Sequence, residues 1–324
     1  MKTPYRYAII LPKPHALNAR TLNIMKFGKV ENPEEIDFTI PDDREESKAV
    51  LAKSKAKDMS IHIGCAKWNK ADLKGFYPKG VKDELGYYST QFNCIELNAT
   101  FYRLFKANVY EGWHDATPDG FKFFPKLTQS ISHFRRLNDV EELVDISVTN
   151  MSHLKEKLGM PFLQMHNNFG PKDFDRVAAF VENWKQYKMP LAMEFRKTEW
   201  YNDPAVSSEL YELLESSGIT NVLVDTAGRR DLMHMRLTTP TAFVRWVGAN
   251  HTSDYSRLDE WVERIADWKE QGLKELNFFV HQNLEKESPL LSAYLIKKLN
   301  KKLGTDLQIP KTLTPDNPAD KPGS

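Results

Sequence analysis

Eight short hydrophobic segments, each with a polar residue or glycine at or near its C-terminal end, recur from residue 61 onward, and their spacing restricts the folds open to the chain. They are Ile61–Gly64, Cys94–Asn98, Phe121–Leu127, Pro161–Met165, Pro190–Phe195, Asn221–Asp225, Ala242–Val247 and Glu275–His281. Gly64, Glu96, Lys126, Gln164, Glu194, Asp225, Arg245 and His281 mark their C-terminal ends, at steps of 32, 30, 38, 30, 31, 20 and 36 residues. A step of about 30 residues is one strand–helix unit of a parallel sheet. Helical patterns fill the intervals, most clearly at 140–158, 173–188, 204–217, 258–271 and 289–302. Gly159 and Gly272 stand where helix C-caps belong, and Asp139 and Asp203 where N-caps belong, the latter followed by Pro204. Eight such units predict an α/β fold, a TIM-type (β/α)8 barrel over residues 61–305. The 20-residue step predicts a sixth unit without a full helix. An open doubly wound sheet is the alternative, but the Gly-rich phosphate turn common in that fold is missing from the sequence.

The ends of the chain read differently. Residues 1–60 carry Lys13-Pro14, Asn32-Pro33, an acidic run from Glu31 to Glu46 and a weak helical pattern over 47–57. They are expected to form an extension that packs on the barrel. Residues 306–324 carry four prolines and little apolar surface, the composition of a disordered tail.

With 324 residues, 41% of them hydrophobic, there is ample material for a core. The net charge of +1 supplies no global field toward nucleic acid or an anionic membrane. Two cysteines, Cys65 and Cys94, make neither a disulfide framework nor a zinc site. No run is long enough for a signal-peptide core or a membrane span, so the expected setting is the cytoplasm.

Period-2 alternation assigns the side chains to faces. Ala192, Glu194 and Arg196 share one face of the fifth strand, Lys122, Phe124 and Lys126 one face of the third, and Leu223 and Asp225 one face of the sixth. If the polar face lines the barrel, Glu96, Asn98, Lys126, Gln164, Glu194, Arg196, Asp225 and Arg245 meet at its C-terminal mouth, with His166 and His281. That is where barrel enzymes hold their chemistry. The same charges can equally pair into an ion network that only closes the barrel. His133, beside Arg135 and Arg136, suits an anion. Trp68 and Tyr102 suit the aromatic walls of a pocket.

These residues carry a resemblance. Gly64 with Trp68, Gly75-Phe76-Tyr77-Pro78, Glu96-Leu97-Asn98-Ala99-Thr100-Phe101-Tyr102-Arg103, Ser132-His133 with Arg136-Leu137, Gln164, Glu194-Phe195-Arg196 with Trp200, Asp225 and Phe243-Val244-Arg245 resemble domain-of-unknown-function family 72, the YecE-like proteins. The likeness spans about residues 61–303 and implies a TIM barrel with its site at these positions, but no reaction. The chain reads as a divergent member. Gly64-Cys65-Ala66-Lys67-Trp68 replaces a Gly-Thr-Ser-Gly-Trp type run, and Arg245-Trp246-Val247-Gly248 lacks the histidine of the usual Arg-Leu-His-Gly.

Three functional readings remain open at this point. The first is an enzyme acting on a small anionic, phosphorylated or sugar-like ligand, a hydrolase or phosphoesterase among the possibilities. Glu96, Glu194 or Asp225 would serve as general acid or base, and Asn98, Tyr102, Lys126, His133, Gln164, Arg196, Arg245 and Trp68 would bind substrate. No cofactor is called for. A divalent metal on Glu96, Glu194, Asp225 and His281 is a variant, although no paired-histidine spacing supports it. The second is a nucleic-acid binding module using Lys67, Lys70, Lys74, Arg103, Arg135, Arg136, Arg229 and Arg230. The third is a catalytically silent scaffold. The oligomeric state is not legible.

Overall fold

The computed structural model describes residues 29–54 and 58–312. Nine strands are parallel to their hydrogen-bonded neighbours: β1 (Ser60–Cys65), β2 (Cys94–Leu97), β3 (Lys122–Pro125), β4 (Phe162–Gln164), β5 (Ala192–Glu194), β6 (Thr220–Asn221), β7 (Leu223–Thr226), β8 (Thr241–Val247) and β9 (Glu275–His281). They form three sheets, in the orders β1-β9-β8-β7, β2-β3 and β4-β5-β6. β6 and β7 are one stretch of chain parted only at Val222, whose N–H donates to the Met193 carbonyl at 2.9 Å.

The sheets adjoin one another at specific residues. Between β3 and β4, Leu127 N–H donates to the Phe162 carbonyl at 2.8 Å. Between β1 and β2 the links come from side chains. Asn93 donates from Nδ2 to the Ile61 carbonyl (2.8 Å) and accepts the Ile63 N–H on Oδ1 (3.1 Å). The Tyr88 hydroxyl accepts the Cys65 N–H and donates to the Cys94 carbonyl. Gly64 permits this approach, because a Cβ there would stand 2.3 Å from the Cys94 carbonyl oxygen.

One buried apolar cluster draws on nearly every strand: Cys94, Phe124, Met160, Phe162, Ala192, Val222, Val224, Phe243 and Phe279. The rings of Phe124, Phe162, Phe243 and Phe279 lie 5.0–6.0 Å apart. This cluster defines the inner face. Residues two positions further along the same strands, on the same face, form the next layer. They are Glu96, Lys126, Gln164, Glu194, Thr226, Arg245 and His281.

The sixth position of that layer corrects the sequence reading. Val222 and Val224 belong to the inner cluster, so Asp225 lies on the opposite face and Thr226 takes the inner place. The parity expectation fails there because it assigns the apolar face to the helices. In this strand both faces are largely apolar, and the floor of the inner space is packed with Phe and Val.

Helices at Glu84–Ser89, Ala107–Asp115, Glu141–Met151, Phe174–Trp184, Pro204–Ser216, Ser253–Gln271 and Ser288–Leu303 follow successive strands. Between β7 and β8 the described residues hold only a 3-10 segment at Ala227–Leu232, in keeping with the short step. The helix Glu45–Ala52 lies against that gap. Ser47 Oγ donates to the Met235 carbonyl and accepts the Leu237 N–H. Lys53 pairs with Glu215 at 2.8 Å, and Asp43 receives bonds from Arg264 and Trp268. The N-terminal segment thus touches the helices on both sides of the missing one. At the other end the chain does not leave the fold at residue 305. Asn300 holds the Leu307 backbone at both N–H and carbonyl, and Lys311 N–H donates to Gln91. Residues 313–324 of the expected tail lie outside the described residues, as do residues 1–28 of the extension.

Leu51 is fully buried among Ile265, Trp268 and Met235. Leu51→Ala is expected to cost about 2–5 kcal/mol, as large-to-small changes in a well-packed core do. The denaturant midpoint measures it, and a loss below 1 kcal/mol on that scale would show that this helix is an ornament on a self-sufficient domain.

Candidate functional site

At the C-terminal ends of the strands, Arg245 of β8 occupies the centre of a charged layer. Its Nε and Nη2 donate to the two oxygens of Glu96 on β2, at 2.9 and 2.8 Å, and its Nη1 donates to Glu194 on β5 at 2.6 Å. Arg196 Nε donates to the other Glu194 oxygen at 2.7 Å, and Gln164 Nε2 to the same atom at 2.9 Å. Glu96 also accepts from Asn98 Nδ2 (2.7 Å) and is 3.0 Å from His281 Nε2. Both carboxylates are fully buried. Burial alone would push their pKa up. Burial is the largest single influence, but it is outweighed by Arg245 and His281 acting together at Glu96, and by Arg245, Arg196 and Lys126 acting together at Glu194, which is drawn down to about 2. Each is therefore a fixed anion whose lone pairs are already engaged, and neither is a proton donor near neutrality.

Lys126 differs from the other charges. Its side chain is buried, and its Nζ donates to Gln164 Oε1 at 2.9 Å, a neutral acceptor. The amine sits 4.0 Å from the centre of the Phe101 ring. Desolvation, reinforced by Arg245 and then Arg196, lowers its pKa to about 7 against the pull of Glu194 and Glu96. His133 abuts Phe101 and His166, with ring centroids at 4.9 and 5.1 Å. Burial and the neighbouring His166 bring its pKa to about 4, so it faces this corner as a neutral imidazole.

On the other side of Arg245 a cavity of about 420 Å³ opens among Trp68, Asn98, Tyr102, Arg245, His281 and Glu285. Ala66, just beyond β1, lines it with a methyl group where other strands end in long side chains.

Arg245 directs its fork at Glu96 and Glu194 and so organises the layer, while also lining the cavity. One expected placement does not hold. Asp225 is absent from the layer altogether. It is buried toward the helices, where Oδ1 accepts from Arg257 Nη2 (2.8 Å) and Arg230, and Oδ2 from Trp261 Nε1 (2.7 Å). Burial would raise its pKa, but Arg257 and Arg230 hold it below the usual range. Glu96, Asn98, Lys126, Gln164, Glu194, Arg196 and Arg245 do come together, with His133 at the edge and Trp68 and Tyr102 on the cavity wall. Sequence reasoning missed Thr226 and Phe101. The first needed the correct parity of β7, and the second is one more aromatic in a run from which only Tyr102 was assigned to a pocket wall. Among the described residues no group of three His, Cys, Asp or Glu side chains is arranged to hold a metal, and no helix is long and apolar enough to cross a membrane.

Comparison with known proteins fixes the family. The profile described as "Protein of unknown function DUF72" matches residues 62–316. The chain belongs to the DUF72 family. UPF0759 protein YecE of Escherichia coli K12 is 27% identical over 265 residues, which cover 75% of this chain and 94% of YecE. UPF0759 protein YunF of Bacillus subtilis 168 is 31% identical over 156 residues, 44% of this chain and 53% of that one. A crystal structure of a DUF72 family protein from Enterococcus faecalis V583 superposes with a TM-score of 0.60 at 17% identity, covering 79% of this chain and 99% of that chain. That likeness speaks for the fold.

Removing Arg245 from the DUF72 layer leaves two buried carboxylates short of their cation. Arg245→Met is expected to cost about 3–5 kcal/mol at neutral pH. The sign of its pH dependence follows from the direction of the shifts. In the wild type the depressed Glu194 contributes stability above the unfolded carboxyl pKa and loses it as pH falls toward about 2. In the variant both carboxylates gain stability on protonation. The deficit should therefore shrink on acidification, read from melting curves of both proteins; a deficit that grows would contradict the assignment.

Proposed function

We propose that this DUF72 protein is an enzyme acting on a small anionic substrate at the C-terminal mouth of a closed (β/α)8 barrel, with Lys126 as the group that takes and gives the proton. Two lines support the closed barrel: every neighbouring strand pair is parallel, and an inner layer of common depth draws on all three sheets. The active site lies in the layer above the phenylalanine floor.

The observation that carries the reading is the setting of Lys126. Two carboxylates, Glu96 and Glu194, and two guanidiniums, Arg196 and Arg245, already balance each other. A protonated Lys126 adds one positive charge to a dry layer, which an ordinary structural network would not retain. An anionic substrate beside it would neutralise that charge. An amine with a pKa of about 7 is matched to proton transfer at neutral pH. Arg196 stands at the same edge as a partner for substrate charge. Trp68 and Tyr102 offer faces on which a sugar-like body could stack. In this reading Glu96 and Glu194 position Arg245 and Arg196 and do not themselves shuttle protons.

The test is NMR titration of 15N-labelled lysine side chains. One resonance, missing from Lys126→Met, is expected to titrate near pH 7 and to move upward when inorganic phosphate is added; titration of every lysine near 10 would end the proposal. Stability gives an independent check. The folded pKa of Lys126 lies below the unfolded value, so the buried amine costs stability fully below pH 7 and progressively less as pH rises toward 10.5. Lys126→Met should therefore melt higher than wild type by the equivalent of about 1–4 kcal/mol, with the gain greatest in acid. A variant that melts lower would mark Lys126 as a structural cation.

A further inference from the structure

Resting on the proposal that Lys126 is the working amine, we infer that it also forms a covalent imine with its substrate, and that the substrate class is a small anionic aldehyde or ketone. Imine formation asks for an amine that is not locked as an ammonium against a carboxylate, in a site that excludes water, with cations nearby to disfavour its protonation. The layer supplies each of these. Glu96 and Glu194 are engaged by Arg245, Arg196, Gln164 and Asn98, while the hydrogen bond from Lys126 goes to the Gln164 amide oxygen. Two aromatic rings lie near the amine, with the Phe101 centre at 4.0 Å and the Phe162 centre at 5.9 Å. Arg245 and Arg196 act on it electrostatically as like charges. The same guanidiniums would draw the carboxylate or phosphate of a carbonyl compound toward the amine.

The step balances without any further reagent. The Nζ lone pair attacks the carbonyl carbon, a C–N bond forms, the C=O π pair moves to oxygen, and one of the two Nζ protons passes to that oxygen to give a neutral carbinolamine. Protonation of its hydroxyl and loss of the nitrogen-bound proton release one water and leave C=N. The neutral imidazole of His133, which packs on the same Phe101 ring as Lys126, would relay these protons. An imine on Lys126 would then withdraw electrons from the substrate's neighbouring carbon, which makes proton abstraction or carbon–carbon cleavage there the class of reaction to seek.

Borohydride trapping tests this on the full chain. The protein is incubated at neutral pH with pyruvate, or with glycolaldehyde phosphate, treated with sodium borohydride, and mapped by peptide mass spectrometry. Hydride reduces C=N to a stable secondary amine, so the adduct stays on the lysine that formed it. The expected result is labelling of Lys126 roughly ten-fold or more above exposed lysines such as Lys48 and Lys185, reflecting its larger fraction of free amine at neutral pH. Excess inorganic phosphate should suppress it, and Lys126→Arg should lack it. The site is read in the wild-type protein, so the conclusion does not depend on the variant folding. Labelling spread evenly over surface lysines, or absent from Lys126 with both probes, overturns the imine. If the NMR titration still finds Lys126 near neutrality and responsive to phosphate, the imine alone has failed; if it does not, the acid–base reading has failed with it.

Discussion

A single guanidinium joins the three hydrogen-bonded sheets of this protein. Arg245 belongs to the four-stranded sheet, Glu96 to the two-stranded one and Glu194 to the three-stranded one. Regular ladders stop at the sheet boundaries: an isolated backbone bridge links β3 to β4, and side chains take over between β1 and β2. Asn93 and Tyr88 bridge β1 to β2, and Arg245 spans the interior. Planar bidentate geometry suits Arg to this role, since one carboxylate can take Nε and Nη2 while another takes Nη1. Such a network is costly to assemble in a dry interior and costlier to leave incomplete. The phenylalanine floor beneath it excludes water and fixes the height at which the charges meet.

Against that core, the α/β order of parallel strands and most of the charged layer were legible in the sequence, and the reasons for the failures are specific. Strand–helix spacing is a long-range pattern that survives errors of a residue or two, so the α/β order and the absent sixth helix were legible. Parity is less tolerant. In β2, β3, β5 and β8 a charged residue follows an apolar one at a distance of two on the inner face, and the register was readable. In β7 the chain runs Val-Leu-Val-Asp-Thr, and alternation alone does not say which face is inner. A carboxylate was assumed to face the mouth. It faces the helix layer instead, because Arg257 and Trp261 from a helix distant in sequence and Arg230 from the following turn surround it there. No local pattern announces partners of that kind. The replacement of the missing helix by Glu45–Ala52 was illegible for the same reason, since it depends on packing across the whole chain.

The distinction between Glu194 and Lys126 could not have been drawn from the sequence either. Both are inner charges at strand ends. What separates them is which partners they find, and that is a matter of reach: Arg245 and Arg196 extend to the carboxylates, and Lys126 meets a glutamine. The acids were the natural candidates for proton transfer, yet pairing holds them ionised, while the lysine that looked like an anion clamp is the group poised near neutrality. Functional sites commonly keep one group in an environment that costs stability, and in the proposed reading that group is the lysine.

The misassigned aspartate bears on how the mouth is supported. Asp225 and Thr226 are consecutive, so they face opposite sides of the same strand end. Outward, Asp225 gathers Arg257, Arg230 and Trp261, and Arg230 in turn donates to the carbonyls of Phe38 and Thr39 in the N-terminal segment. Arg257 also reaches Asp254 at 3.0 Å, whose other oxygen receives Gln282, just beyond the His281 that contacts Glu96. A chain of buried polar contacts therefore runs from the N-terminal segment through Asp225 and Asp254 to the end of β9 and into the charged layer. The segment completes the helix layer where the sixth unit lacks its helix, and through this chain it also braces two strand ends that shape the site. Cutting the chain at Asp225 would loosen both at once, which is why an acid with no place in the inner layer still matters to its geometry.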